Sequence, residues 1–119
     1  MSNAQSRTRY PSNKLLTMID LIKNNRDQIG QLCRQLSVQR LDVFGSAVTN
    51  HFDPSKSDVD FVVEFYRHDE PGILDRYLAL AERLEALLRR PVDLVTTASI
   101  RNPFFKETIE ATKETVYAS

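Results

Sequence analysis

The sequence predicts a small mixed α/β (α+β) fold, a few strands with helices packed on one side, and three observations carry that expectation. Residues 58–65 alternate cleanly, with Val59, Phe61, Val63 and Phe65 on one face and Asp58, Asp60, Val62 and Glu64 on the other. That is the two-residue period of a half-buried strand. Residues 71–89 instead place Leu74, Tyr77, Leu78, Ala81, Leu84 and Leu88 three and four apart, the stripe of a long amphipathic helix. A second strand-like run at 92–95 follows at once, so strand, helix and strand occur in an order that layers a helix on a sheet.

The remaining elements follow in chain order. Between residues 13 and 36 the apolar positions Leu15, Met18, Ile19, Ile22, Ile29, Leu32, Cys33 and Leu36 recur at helical spacing, and Asn24-Asn25 divides them into two helices. Cys33 belongs to that stripe and reads as core packing. Residues 38–44 are rich in branched and aromatic side chains and run into Gly45-Ser46, a strand ending in a turn. The polar stretch 47–57 forms a loop or short helix before the strand at 58–65. Pro71 marks the start of the long helix and Arg89-Arg90-Pro91 its end. Asn102-Pro103 has the cap-then-proline form of a helix start, with Phe105 and Ile109 one turn apart, and residues 114–118 add a last strand.

Length and composition bound the function. A chain of 119 residues is one domain's worth, and 41% apolar with 27% charged residues is ordinary for a globule. Ser2-Asn3-Ala4 reads as the scar of a cleaved tag, which leaves residues 1–11 as a mobile N-terminus and 12–119 as a single domain. Sixteen basic residues balance sixteen acidic ones, so no global field exists for generic nucleic-acid binding. The balance hides an asymmetry: eight basic and four acidic residues through Ser57, then eight basic and twelve acidic from Asp58 onward. One cysteine excludes an intramolecular disulfide and a Cys-rich zinc site. With no apolar run long enough to span a membrane, a cytoplasmic location is expected.

The chemistry concentrates in two places. Asp58 and Asp60, two apart on a strand, point the same way, and parallel carboxylates repel unless a cation lies between them. Oxygen ligands with no His or Cys nearby suit Mg²⁺. Gly45 lets backbone approach a phosphate, and Ser46 offers a hydroxyl and an N–H at the first turn beyond the strand. An antiparallel hairpin of the two strands would put Ser46 beside Asp58 and Asp60. Asp93 supplies a third carboxylate from a short strand expected to be central, where an acid is costly unless paired, exposed or metal-bound.

Gly45-Ser46, eleven intervening residues, Asp58-Val59-Asp60 and then Asp93 resemble the signature of the DNA polymerase β-like nucleotidyltransferase superfamily. The small size, the leading helix and the Val92-Asp93-Leu94-Val95-Thr96 segment are similar to its minimal nucleotidyltransferases, over residues 36–118. The resemblance implies a polymerase β-like core and two Mg²⁺ ions on Asp58 and Asp60, with Asp93 completing the catalytic metal site and helping to deprotonate the acceptor. It implies a nucleoside triphosphate, ATP by expectation, whose β/γ-phosphates rest on Gly45 and Ser46. Many members carry an arginine shortly after the Gly-Ser pair, whereas this chain reads Gly45-Ser46-Ala47-Val48-Thr49-Asn50. Lys56 is the candidate substitute, and Arg40 and His51 are weaker ones.

Minimal members of the family commonly act as antitoxins that transfer AMP to a tyrosine of a helical HEPN-domain toxin. The resemblance therefore implies protein adenylylation with a HEPN partner. Two other readings fit the same residues: a small-molecule transferase of the aminoglycoside type, and a catalytically degenerate module that masks its partner. Leu80 and Leu87 widen the apolar face of helix 71–89 enough to admit a partner or a second copy of the chain.

Overall fold

In the computed structural model, which describes residues 18–48 and 58–119, the chain begins with helices α1 (Met18–Asn24) and α2 (Arg26–Gln35). Strands β1 (Val38–Phe44) and β2 (Val59–Phe65) follow, then helix α3 (Ile73–Leu88), strand β3 (Val92–Thr96), helix α4 (Pro103–Thr112) and strand β4 (Glu114–Ala118). The expectations for residues 1–11, for the first turn of the leading helix and for Lys56 and His51 lie outside the described residues.

The breaks between elements have local causes. Asn25 ends α1 by donating its side-chain amide to the Leu21 carbonyl (2.9 Å) and opens α2 by accepting from the Ile29 N–H (2.9 Å). Ser37 takes a left-handed conformation (φ 58°), which turns the chain from α2 into β1. Helix α3 starts after Pro71 because Gly72 is itself left-handed (φ 92°), and it stops at Arg89, also left-handed. Asn102 caps α4 as expected, its side-chain oxygen accepting from the N–H of Phe104 (2.8 Å) and Phe105 (3.4 Å).

The four strands form one mixed sheet in the order β3-β2-β1-β4. β1 pairs antiparallel with β2 and β4, and β2 pairs parallel with β3. One face carries Leu41, Val43, Val59, Phe61, Val63 and Leu94, all buried. Against them lie Ile22, Ile29, Leu32 and Cys33 from α1 and α2, and Leu80, Leu84 and Leu88 from α3. Cys33 is fully buried, which pushes its thiol up to about 12 and leaves it an unreactive core residue. The apolar stripe of α3 is rotated from the expected one: Leu80 is buried, whereas Leu74 and Leu78 are exposed. The Tyr77 hydroxyl donates to the Leu94 carbonyl and fixes that rotation against β3.

Helices α1, α2 and α3 lie on one side as the sequence predicts, and α4 serves the other. There Ile109 is buried with Phe44 and Val62, flanked by Val95 and Ile100. β3 is an edge strand rather than a central one, so Asp93 sits exposed at the sheet margin and keeps its hydration. Among the described residues no helix is long and apolar enough to cross a membrane.

Candidate active site

Register brings the separated acids together. Asp60 lies opposite Phe44 in the β1–β2 pair and opposite Asp93 in the β2–β3 pair. Two residues earlier on the same face stands Asp58, exposed just ahead of β2. The antiparallel β1–β2 pairing therefore carries Gly45, the first residue beyond β1, to the Asp60 end of the sheet. β1 and β2 form the antiparallel hairpin expected from the sequence, which carries the Gly45-Ser46 turn to the Asp60 end, and β3 adds Asp93 beside Asp60.

Gly45 is required twice over at this corner. Its φ of 74° is left-handed, and a side chain placed on it would bring its Cβ to 3.0 Å from the Asp60 Oδ2. The backbone turns against a carboxylate with no room between. Ser46 follows within the same single helical turn, Gly45–Ala47, and the Val48 N–H closes that turn on the Gly45 carbonyl (3.0 Å).

The electrostatics are unbalanced. Asp60 is pushed up from 3.8 to about 6, first by burial and then by the neighbouring Asp93 and Asp58 carboxylates. Among the described residues no cationic side chain pairs with Asp58, Asp60 or Asp93. Arg40, a candidate for the missing arginine, is committed elsewhere. Its guanidinium binds the buried Asp42 (3.0 Å) and donates to the Thr115 hydroxyl (2.8 Å). A cleft on the same face, lined by Asp42, Val62, Lys106, Ile109 and Lys113, includes none of the three acids.

This donor set fits Mg²⁺. It is all carboxylate oxygen, and its mutual repulsion is what a divalent cation would relieve. Among the described residues no three His, Cys, Asp or Glu groups converge tightly enough to hold an ion by themselves. Mg²⁺ typically takes one or two carboxylates and completes its shell with water and substrate phosphate, so an open set of this kind is compatible with it.

Two contributors were not legible in the sequence. The N–H of Gly45 donates to the Thr112 hydroxyl (2.9 Å), at the end of α4, and the Phe105 ring meets Phe44 edge-on at 5.8 Å. Residues 67 positions apart leave no local signal of such a contact.

Comparison with known proteins bears on the same residues. The family model described as the nucleotidyltransferase domain matches residues 26–116. A candidate protein adenylyltransferase of Methanocaldococcus jannaschii is 40% identical over 73 residues, 61% of this chain and 71% of its own. The protein adenylyltransferase MntA of Thermococcus cleftensis is 36% identical over 87 residues, 73% of this chain and 81% of its own. Among solved structures, a candidate minimal nucleotidyltransferase superposes with TM-score 0.66 at 25% identity, covering 83% of this chain and 95% of the other. A toxin–antitoxin structure with AMP-PNP gives 0.61 at 22% identity, covering 80% and 74%. A tri-AMPylated Shewanella oneidensis HEPN toxin in complex with an MNT antitoxin gives 0.57 at 21%, covering 82% and 73%. The fold, the order of its motifs and the span of the family match lead to one assignment: the chain belongs to the nucleotidyltransferase domain family, as a minimal nucleotidyltransferase, and is an enzyme of that class.

Proposed function

We propose that this enzyme transfers AMP from ATP to a tyrosine hydroxyl of a HEPN-type partner protein and acts as its antitoxin. The observation that carries the reading is the set of three carboxylates on adjacent strands, without a cationic partner among the described residues, set against a glycine turn. Support for the donor comes from the structural neighbour bound to AMP-PNP. Relatives named as protein adenylyltransferases support a protein acceptor, and the AMPylated HEPN complex supports the partner.

In this reading the acceptor oxygen attacks the α-phosphorus, the bond from that phosphorus to the bridging oxygen breaks, and pyrophosphate leaves. Asp58, Asp60 and Asp93 would hold Mg²⁺, which when bound supplies neutralising charge for the triphosphate and the departing pyrophosphate. Asp93, exposed at the sheet edge, would take the acceptor proton. Gly45 and Ser46 orient the β- and γ-phosphates, while Asp60, fixed by the sheet between Phe44 and Asp93, sets the distance from phosphate turn to acceptor.

The test is transfer of label from α-³²P-ATP to the purified partner in the presence of Mg²⁺, with the modified residue mapped by mass spectrometry. Label on a partner tyrosine is expected. Neutralisation of the partner that survives Asp58→Asn with Asp60→Asn, and no transferred label, would instead establish the binding-module reading.

A further inference from the structure

The helix that closes the chain's second face holds the phosphate turn in place, and its last residue makes the contact. Gly45 is the first residue past the β1 ladder, so its N–H has lost the strand partner that residues further back in β1 possess. That N–H donates to the Thr112 Oγ1 at 2.9 Å. The Thr112 hydroxyl in turn donates its one proton to the Thr108 carbonyl at 2.9 Å. Its proton thus committed, the oxygen faces Gly45 with a lone pair, and the contact has a fixed polarity.

Two further contacts from α4 fall on the same corner. Phe105 lies edge-on against Phe44, the residue preceding Gly45, and Ile109 is buried with Phe44 and Val62. Phe105, Ile109 and Thr112 follow one another at helical spacing, so one stripe of α4 grips the end of β1. The grip is rigid at its far end, because α4 stops at Thr112, Lys113 closes it on the Ile109 carbonyl (2.8 Å), and β4 begins at Glu114 and pairs with β1. On its other side Gly45 faces the Asp60 carboxylate, whose Oδ2 would stand 3.0 Å from an added Cβ. The turn is thereby clamped between Thr112 and Asp60.

We propose that Thr112 is a positioning residue for the donor's triphosphate. By accepting from Gly45 N–H it directs that amide inward and fixes the left-handed turn, and this sets the direction in which Ser46 is presented to the phosphates. The proposal rests on the reading of Gly45-Ser46 as the phosphate turn. It gives Gly45 a structural part, and leaves the phosphate contact to the residue after it.

Calorimetric titration of AMP-PNP with Mg²⁺ into the wild type, Thr112→Val and Thr112→Ser tests it, with thermal unfolding and exchange of the Gly45 amide followed alongside. Valine keeps the shape and removes the acceptor. It is expected to weaken binding about tenfold and to expose the Gly45 amide to exchange, while serine restores both. Thr112→Val binding as tightly as the wild type would overturn the proposal. So would equal losses in the valine and serine variants tracking a fall in unfolding temperature, the signature of a merely structural role. A wild type that binds no AMP-PNP would overturn the reading of the turn itself and the proposal with it, whereas wild-type binding with an indifferent valine variant defeats the proposal alone.

Discussion

The two ends of the sheet treat polar groups in opposite ways. At the end where β2 leaves toward α3, Arg76 donates to the carbonyls of Leu36 (3.2 Å), Tyr66 (3.0 Å) and Arg67 (2.9 Å) and lies over the Phe65 ring at 5.2 Å. The Tyr66 N–H meets the Ser37 carbonyl there (2.9 Å), so one guanidinium and the backbone close the end of the hairpin. At the other end Asp58, Asp60 and Asp93 gather like charge without a cationic partner among the described residues, and Asp60 is left half-buried among them. A fold maximising its own stability would not place three acids there. The contrast separates what holds the domain together from what it holds together for.

The largest expected effect breaks that contrast on the acidic side. Asp60→Asn should reduce AMP transfer about a thousandfold or more, because it removes a carboxylate proposed to hold the Mg²⁺ that neutralises the triphosphate. It should leave the metal-free chain more stable than the wild type at pH 7.5, measured by urea unfolding, because the ionised Asp60 carboxylate is disfavoured by burial and by its acidic neighbours. Arg76→Met is the mirror experiment. It strands three carbonyls and should cost about 1–3 kcal/mol of stability, with transfer per folded molecule unchanged in single-turnover assays.

Gly45→Ala sits between the two. A left-handed φ costs a non-glycine residue about 1–2 kcal/mol, and the new methyl meets the Asp60 carboxylate. Both a lower unfolding midpoint and a weaker nucleotide affinity are expected, with the affinity loss the larger when the two are measured on one preparation.

The smallest effect is a pH dependence. The Asp60 carboxyl in the folded chain stands at about 6, above its ordinary value. The folded state therefore holds the proton more tightly than the unfolded state, and the stability this adds is full below about pH 4 and lost as pH rises through about 6. Without metal, the wild type minus Asp60→Asn difference in stability should shift toward the wild type as pH falls from 7.5 to 5. A difference that moved the other way would remove burial and like charge as the cause of the shift.

Most of the fold could be read from the chain because local periodicity determines it. The alternation around Phe61 and Val63, the Asn24-Asn25 break and the Asn102-Pro103 cap all appear as the sequence predicts. The rotation of α3 is not readable, since Leu74 and Leu78 satisfy helical spacing as well as Leu80 does, and packing against the sheet together with the Tyr77 contact with β3 decides between them. Asp93 on an edge strand could not be foreseen either, because strand order is set by pairings between distant segments. At the site, the three acids and the glycine turn announce themselves by residue type and spacing. The buried Asp42 with Arg40, and Thr112 with Gly45, do not, because each depends on which side chains the tertiary fold brings within reach.

In the proposed reading the like-charged end of the sheet is a cation and triphosphate site. The direct measurement is the shift in unfolding temperature at pH 7.5 on adding Mg²⁺ with AMP-PNP to the wild type, Asp60→Asn and Arg76→Met. A ligand bound only by the folded state raises that temperature, by an amount that grows with the logarithm of its concentration over its Kd. A rise is expected in the wild type, the same rise from a lower baseline in Arg76→Met, and none in Asp60→Asn. Equal rises in the wild type and Asp60→Asn, or none in any of the three, would contradict it.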